Sequence, residues 1–390
     1  MNFPFSFNQK STILLIFFFH SILFSIVLLK KENFNKNKAS LWLSLLLFLS
    51  AMYITPYMLG YANWYAKKMT REILFFIPFM QVLFIGPVIY FYIKSLLYSS
   101  FKISKKESLH FIPALLYFIY SLIVFISDKL ILDEFYFYAN NRDKDLENWY
   151  QIAGIISMTI YLILSLKLYT NYKKLVFSKV SFADTILFRW VPNFLIAFLC
   201  IIVFRFIFFF TNPQWGEFGE QFWYYVSFSI IVLYISINGY ANAVKMSFLT
   251  DINLQNIPIF SESEINKNSK QEDINQKEIE FWKKKILHLV EEQKVYKNPK
   301  LTLLDVSKQL ETNTKTVSSC INIGFQMNFN DFINQFRIAA IKEKLQQGEH
   351  KKSTLLGIAF DCGFNSKATF NRAFKKHTNL TPKQYLLNYK

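Results

Sequence analysis

The sequence predicts an all-α chain in two parts: seven membrane-length helices, then a helical domain with two helix–turn–helix motifs joined by a long helix. Two observations carry this. Seven apolar runs in the first 245 residues approach the roughly 20 residues a helix needs to cross a bilayer. From residue 278 onward, short helical patterns recur, several of them opening on a capping Ser or Thr. The composition agrees. The chain is 52% hydrophobic and 19% aromatic, with 44 Phe among 390 residues, too apolar for an ordinary soluble protein.

The runs cover 11–29, 39–59, 73–98, 109–127, 149–169, 187–210 and 222–241. The first has no small-residue cleavage site and is followed by Lys30-Lys31, so it reads as a retained span. Lysine and arginine in the loops set the orientation. With the amino terminus outside, inside loops hold ten (Lys30, Lys31, Lys36, Lys38, Lys102, Lys105, Lys106, Lys173, Lys174, Lys179) and outside segments hold seven. Seven spans also deliver the carboxyl half to the inside. The outside loop 128–148 carries Asp128, Asp133, Glu134, Asp143, Asp145 and Glu147 and reads as the largest external surface.

Within the spans, Arg205 sits in IIVFRFIFFF. An intramembrane charge is a candidate sensor residue. Its place toward the outer end also allows it to snorkel to the interface in a structural role. His20 and Asn238 read as interhelical hydrogen-bonders. Pro78 and Gly86-Pro87 break the third run, as a hinge or a kink. Trp223-Tyr224-Tyr225 fits an interfacial belt. No catalytic dyad, metal-ligand spacing or phosphate loop is present, so neither a cofactor nor an enzymatic activity is expected.

The formal charge is +17, made up of +10 before residue 246 and +7 after it. Inside loops explain the first excess and nucleic acid the second. The three cysteines, Cys200, Cys320 and Cys362, form no disulfide framework and read as small buried hydrophobes.

The chain therefore divides into a membrane part (1–245), a polar linker (246–277) rich in Asn, Ser, Glu and Lys, and a helical domain (278–390). The linker reads as a flexible tether. Ile279, Trp282, Ile286 and Leu289 recur at helical spacing, which favours packing onto the following domain over a dimerising coil.

Segment 354–385 is the working end. Thr354 caps a helix facing inward with Leu355, Ile358 and Ala359. Gly363 takes the reversal, where positive φ is favoured. Phe364 drops into the core. Ser366 caps a second helix, whose buried side stacks Phe370 on Phe374. The other side shows Lys367, Ala368, Asn371, Arg372 and Lys375. Thr381-Pro382 opens a further helix. A helix that is cationic and amide-bearing outside and phenylalanine-packed inside suits a DNA major groove.

An earlier motif starts at Thr302, with Leu303, Val306 and Leu310 inward. Its second helix follows Asn313, buries Val317, Cys320 and Ile321, and shows Lys315, Thr316, Ser318, Ser319 and Asn322. Between the motifs, 329–345 forms a connector with Phe332, Ile333, Phe336, Ala340 and Leu345 inward.

The order I-A…G-F-x-S…F-x-R-x-F-K…T-P-x-x-Y resembles the second helix–turn–helix of AraC/XylS-type bacterial transcription regulators. The matches fall at Ile358, Ala359, Gly363, Phe364, Ser366, Phe370, Arg372, Phe374, Lys375, Thr381, Pro382 and Tyr385. The stretch around Leu301-Thr302-Leu303…Asp305-Val306-Ser307…Asn313…Val317-Ser318 is similar to that family's first motif, and Arg337 matches a family arginine. Thr316 and Ser319 depart from the aromatic and basic residues the family often has there, which shifts base reading to the second motif.

The resemblance implies two recognition helices entering successive major-groove segments about 34 Å apart. Asn371 and Arg372 would read base edges. Lys376, Lys383 and the start of the helix at Pro382 would meet phosphate. The implied function is a one-component transcription regulator embedded in the bacterial inner membrane, with its DNA-binding domain in the cytoplasm. Expected partners are double-stranded promoter DNA, the lipid bilayer, a ligand or membrane partner, RNA polymerase and a second copy of the chain. A transporter or membrane enzyme with an appended DNA-binding domain is the alternative. No intramembrane carboxylate pair, histidine cluster or repeat with paired broken helices favours it.

Overall fold

A computed structural model describes the chain apart from residues 1–5, 7, 36–37, 99–100, 188–189, 212–217, 254–275 and 388–390. Contacts divide it into two units. The first is Met1–Tyr169 with Phe188–Phe260, and the second is Thr170–Leu187 with Ser261–Lys390. Regular structure among the described residues is helical, with one isolated antiparallel bridge, Val180 to Thr302.

The first unit contains α1 (Gln9–Asn35), α2 (Lys38–Tyr61), α3 (Lys68–Phe76), α4 (Val82–Leu97), α5 (Lys105–Ile131) and most of α6 (Asn148–Lys179). The short α7 (Ala183–Ile186) belongs to the second unit. The chain then returns to the first unit through α8 (Trp190–Thr211) and α9 (Phe218–Asn253). Six of the described helices, α1, α2, α5, α6, α8 and α9, are long and apolar enough to cross a membrane. Each corresponds to one of the predicted runs.

The remaining run, 73–98, is divided. Helix α3 ends at Phe76, residues 77–81 leave the helix, and α4 resumes at Val82. Pro78 supplies the break. Pro87 sits inside α4 and Pro56 inside α2 without ending either helix. Backbone freed inside an apolar unit needs partners. The Met80 amide donates to Asp145 Oδ2 (2.8 Å), and the Met80 carbonyl accepts from the Tyr150 hydroxyl (2.7 Å).

That use of Asp145 corrects the expectation that loop 128–148 is simply an exposed acidic surface. Asp128, Asp143 and Asp145 are buried. Asp145 Oδ1 also accepts from the Tyr117 hydroxyl (2.6 Å), Asp143 Oδ2 from that of Tyr65 (2.5 Å), and Asp128 from the Phe137 amide. Burial pushes the Asp145 carboxyl up to about 6 and that of Asp143 upward too, with the neighbouring carboxylate adding to the second.

Arg205 does not snorkel. It is 1% exposed, donates from Nη2 to Gln151 Oε1, and lies over the rings of Tyr53 and Tyr224, at 5.6 and 4.7 Å. Gln151 in turn donates to the Asp145 carbonyl. One buried network thus links α8, α6, the loop and the break after α3. His20 bonds across helices to Ser236 (2.6 Å), as expected. Asn238 does not: its amide returns to the Tyr234 carbonyl one turn earlier in its own helix. Ser25 and Ser44 exchange side-chain-to-carbonyl bonds (2.8 and 2.7 Å) between α1 and α2, the polar contact that holds apolar helices together.

Helix α9 runs to Asn253, past the position where the linker was expected to begin. The next described residues open α10 (Gln276–Glu291), and most of the linker lies outside the described residues. The second unit continues through α11 (Leu303–Gln309), α12 (Thr314–Ser319), α13 (Phe329–Gln346), α14 (Leu355–Asp361), α15 (Lys367–Thr378) and α16 (Pro382–Leu387).

Two apolar clusters hold this unit, and α13 runs through both. Phe332 and Ile333 join Ile286, Leu289, Leu303, Val306 and Val317 in the first. Ile338, Ile341 and Leu345 join Ile358, Phe364, Phe370 and Phe374 in the second. Ile279 and Trp282 pack on the first cluster, so the α10 stripe serves the domain.

Candidate nucleic-acid interface

Each helix of the two motifs begins where its capping residue fixes it. Thr302 Oγ1 accepts from the Asp305 amide while Asp305 accepts from the Thr302 amide (2.9 Å), a reciprocal capping box. Asn313 accepts from the Thr316 amide (2.8 Å), Thr354 from that of Gly357 (3.1 Å) and Ser366 from that of Thr369 (3.2 Å). Thr381 accepts from the Gln384 amide and donates to its side chain. Each bond satisfies an otherwise orphaned helix donor.

The turn between α14 and α15 depends on Gly363. Its φ is +96°, and a Cβ there would lie 2.3 Å from the Tyr296 carbonyl and 2.9 Å from Lys297 Cα. The turn is therefore pressed onto the backbone that precedes the first motif. Phe364 then turns inward, 2% exposed. Phe370 and Phe374 pack edge-to-face at 5.6 Å. Burying each such ring stabilises by about 1.5–3 kcal/mol, which orients α15.

With that face buried, the opposite one is presented. Lys367, Ala368, Asn371, Arg372, Lys375, Lys376 and Lys383 are exposed. Ala359, Gly363, Phe364, Phe370, Phe374 and Pro382 are buried, and the capping Ser366 is half-buried. On the first motif, Lys315 and Asn322 are exposed, whereas Thr316, Ser318 and Ser319 are half-buried. The Thr316 hydroxyl donates to Asn313 Oδ1 (3.1 Å) and Ser318 accepts from Asn322 (3.4 Å). These short side chains serve their own helix, leaving less to offer a base.

Sequence reasoning missed what Arg337 does. It is 1% exposed and donates to the carbonyls of Tyr296 (2.8 Å), Asn298 (2.7 Å) and Ser181 (3.2 Å), to Ser181 Oγ (3.0 Å) and to Asn334 Oδ1 (3.1 Å). Burial pushes its pKa down to about 9, so it stays charged at neutral pH. It also missed the acidic partners of two candidate contact residues. Lys376 pairs with Asp331 (2.5 Å), and Arg372 pairs with Asp184. No local pattern signals either pair.

Cys320 and Cys362 are buried and free, while Cys200 is only half-buried. Burial pushes the Cys320 thiol up to about 11 and raises that of Cys362. Thiolate is the reactive form. Mass spectrometry after iodoacetamide treatment at neutral pH should therefore find both unmodified until denaturant is added.

Residues 306–388 match the family model described as a helix-turn-helix domain. The C-terminal domain is an AraC-type helix-turn-helix domain. The match runs from within α11 through α16, so it takes in the connector, the second motif and all of the first but its opening residues. The chain is also similar to a probable transcription factor, PqrA, of Proteus vulgaris, 38% identical over 58 residues. That alignment covers 15% of this chain and 45% of the relative's own length. No solved structure matches the chain.

Proposed function

We propose that the chain is a membrane-embedded one-component transcription regulator, in which the AraC-type domain binds promoter DNA and the apolar helices hold it at a bilayer and take up a signal. The observation that carries the first half is the presented face of α15: three lysines, Arg372 and Asn371, with the opposite face locked by Phe370 and Phe374. Arg and Asn offer bidentate donors to guanine and adenine. Lys383, beside the amino end of α16, suits phosphate. The half-buried side chains of α12 favour the second motif as the main base reader.

Support for the second half comes from the exterior of the first unit. Ile16 and Phe19 of α1, Leu115 and Leu116 of α5, and Ile156 and Ile163 of α6 are each more than half exposed. Apolar surface on that scale suits lipid. The excess of basic residues in alternate loops supports a reading with the amino terminus outside and the AraC-type domain in the cytoplasm of a bacterial inner membrane. Arg205, with Gln151 and the two tyrosines, is the candidate sensor residue, since a buried charge couples to small shifts of the helices around it.

Binding of the detergent-solubilised full chain to the DNA upstream of its own gene tests the regulator reading. Affinity should fall by about 10²-fold or more between 50 and 200 mM salt, as phosphate contacts release counterions. A flat salt response, or no binding, contradicts the reading.

A further inference from the structure

Segment Thr170–Leu187, made of the last turns of α6 together with α7 and the residues around it, belongs to the second unit. It is built into the AraC-type domain. The Ser181 amide donates to the Leu301 carbonyl (3.1 Å), and the Ser181 hydroxyl to the same oxygen (2.9 Å). Val180 forms the antiparallel bridge with Thr302, and its carbonyl accepts from Asn330 Nδ2 (3.3 Å). Arg337 closes the other side of Ser181. Val180 and Ser181 are fully buried. These few bonds, around one isolated bridge, hold the segment on the domain.

The same segment reaches the recognition helix. Asp184 pairs with Arg372, whose guanidinium lies over the Phe177 ring at 4.8 Å. General charge attraction does not bring the segment there. It carries Lys173, Lys174 and Lys179 against one acidic residue, and the domain it docks on is basic. The single carboxylate meets the one arginine of α15. A carboxylate satisfies the guanidinium fork as a guanine edge does, and one fork cannot serve both at once.

We propose that this segment is an internal competitor for DNA: docked through Val180 and Ser181, it holds Asp184 on Arg372 and must leave before α15 can read a base. The proposal rests on the regulator reading above and specifies how that site is controlled. The segment begins inside the membrane-length helix α6, and the membrane-length helix α8 opens three residues after it, at Trp190. A shift of α6 or α8 is thereby coupled to release, and release leaves Arg337 its bonds to Tyr296, Asn298 and Asn334. DNA and the docked state then exclude each other, which is reciprocal coupling between two sites.

Two variants of the full chain in lipid nanodiscs test this, with a duplex selected by the wild-type chain from a random-sequence pool as the probe. Asp184→Asn, nearly isosteric, should bind the duplex about tenfold more tightly, as loss of a charge-assisted pair implies. The gain should vanish when Arg372→Ala is also present. Val180→Cys with Thr302→Cys, in a Cys200→Ser background, places cysteines at directly opposed bridge positions, a spacing a disulfide can span. The oxidised protein should lose at least about tenfold in affinity and recover it on reduction. Equal binding by oxidised and reduced protein, together with an unchanged Asp184→Asn affinity, overturns the competitor while the regulator reading stands. No binding to DNA in any form overturns both.

Discussion

Gly363→Ala should destabilise the second motif by about 2–5 kcal/mol, the left-handed backbone and the overpacking each contributing. At φ +96° an L side chain is strained before any contact is considered. The added Cβ then meets the Tyr296 carbonyl at 2.3 Å and the Lys297 backbone at 2.9 Å. Neither is a flexible side-chain end that can swing aside, so α14 and α15 must move away from the residues before α11. The two apolar clusters would open where they meet. A domain with net stability of about 5–15 kcal/mol loses a large share of it. Amide exchange should quicken throughout α14–α16 and less in α10 and α11. Exchange rates in α15 that match the wild type would show that the turn is not the constraint described here.

Arg337→Met should cost about 2–4 kcal/mol, since several buried acceptors lose their donor at once. Two effects oppose. Removing a buried cation that has no carboxylate against it among the described residues relieves a desolvation cost, the same burial that holds its pKa near 9. Against that, the carbonyls of Tyr296, Asn298 and Ser181, the Ser181 hydroxyl and Asn334 Oδ1 each lose a bond of 2.7–3.2 Å. Five stranded acceptors outweigh one relieved charge. Arg337→Lys keeps the charge but cannot reach both sides of the site, so it should fall between Met and wild type. Thermal unfolding of the full chain in detergent, followed at the C-terminal domain, gives the order directly. If Met is as stable as Arg, the staple is not structural.

Local chemistry was legible in the sequence. Thr302, Thr354 and Ser366 cap the helices their positions implied, and Gly363 turns where a reversal was needed. These features are decided within three or four residues, by one side chain and one amide. The apolar runs were legible because hydropathy over 20 residues is a property of the run alone.

Features that join distant residues were not legible. Asp184 lies 188 positions from Arg372 in the chain, and nothing in the sequence around either marks the other. Arg337 showed as a family match, yet its bonds to Tyr296, Asn298 and Ser181 come from backbone brought together by folding. Asp143 and Asp145 sit in a polar, acidic stretch that reads as solvated. They are buried because the break at Pro78 frees the Met80 amide, and Tyr65 and Tyr117 supply the remaining donors.

The central claim is that α15 reads DNA sequence. A randomised-site selection with the full chain, its Arg372→Ala variant and its Lys383→Ala variant tests this most directly. Arg372→Ala should lose preference at one base position, worth about 1–3 kcal/mol, while keeping the rest of the site. Lys383→Ala should weaken binding to all sequences alike and keep the preference intact. Indistinguishable selections from the two variants, or the same consensus from Arg372→Ala as from the wild type, would contradict the account.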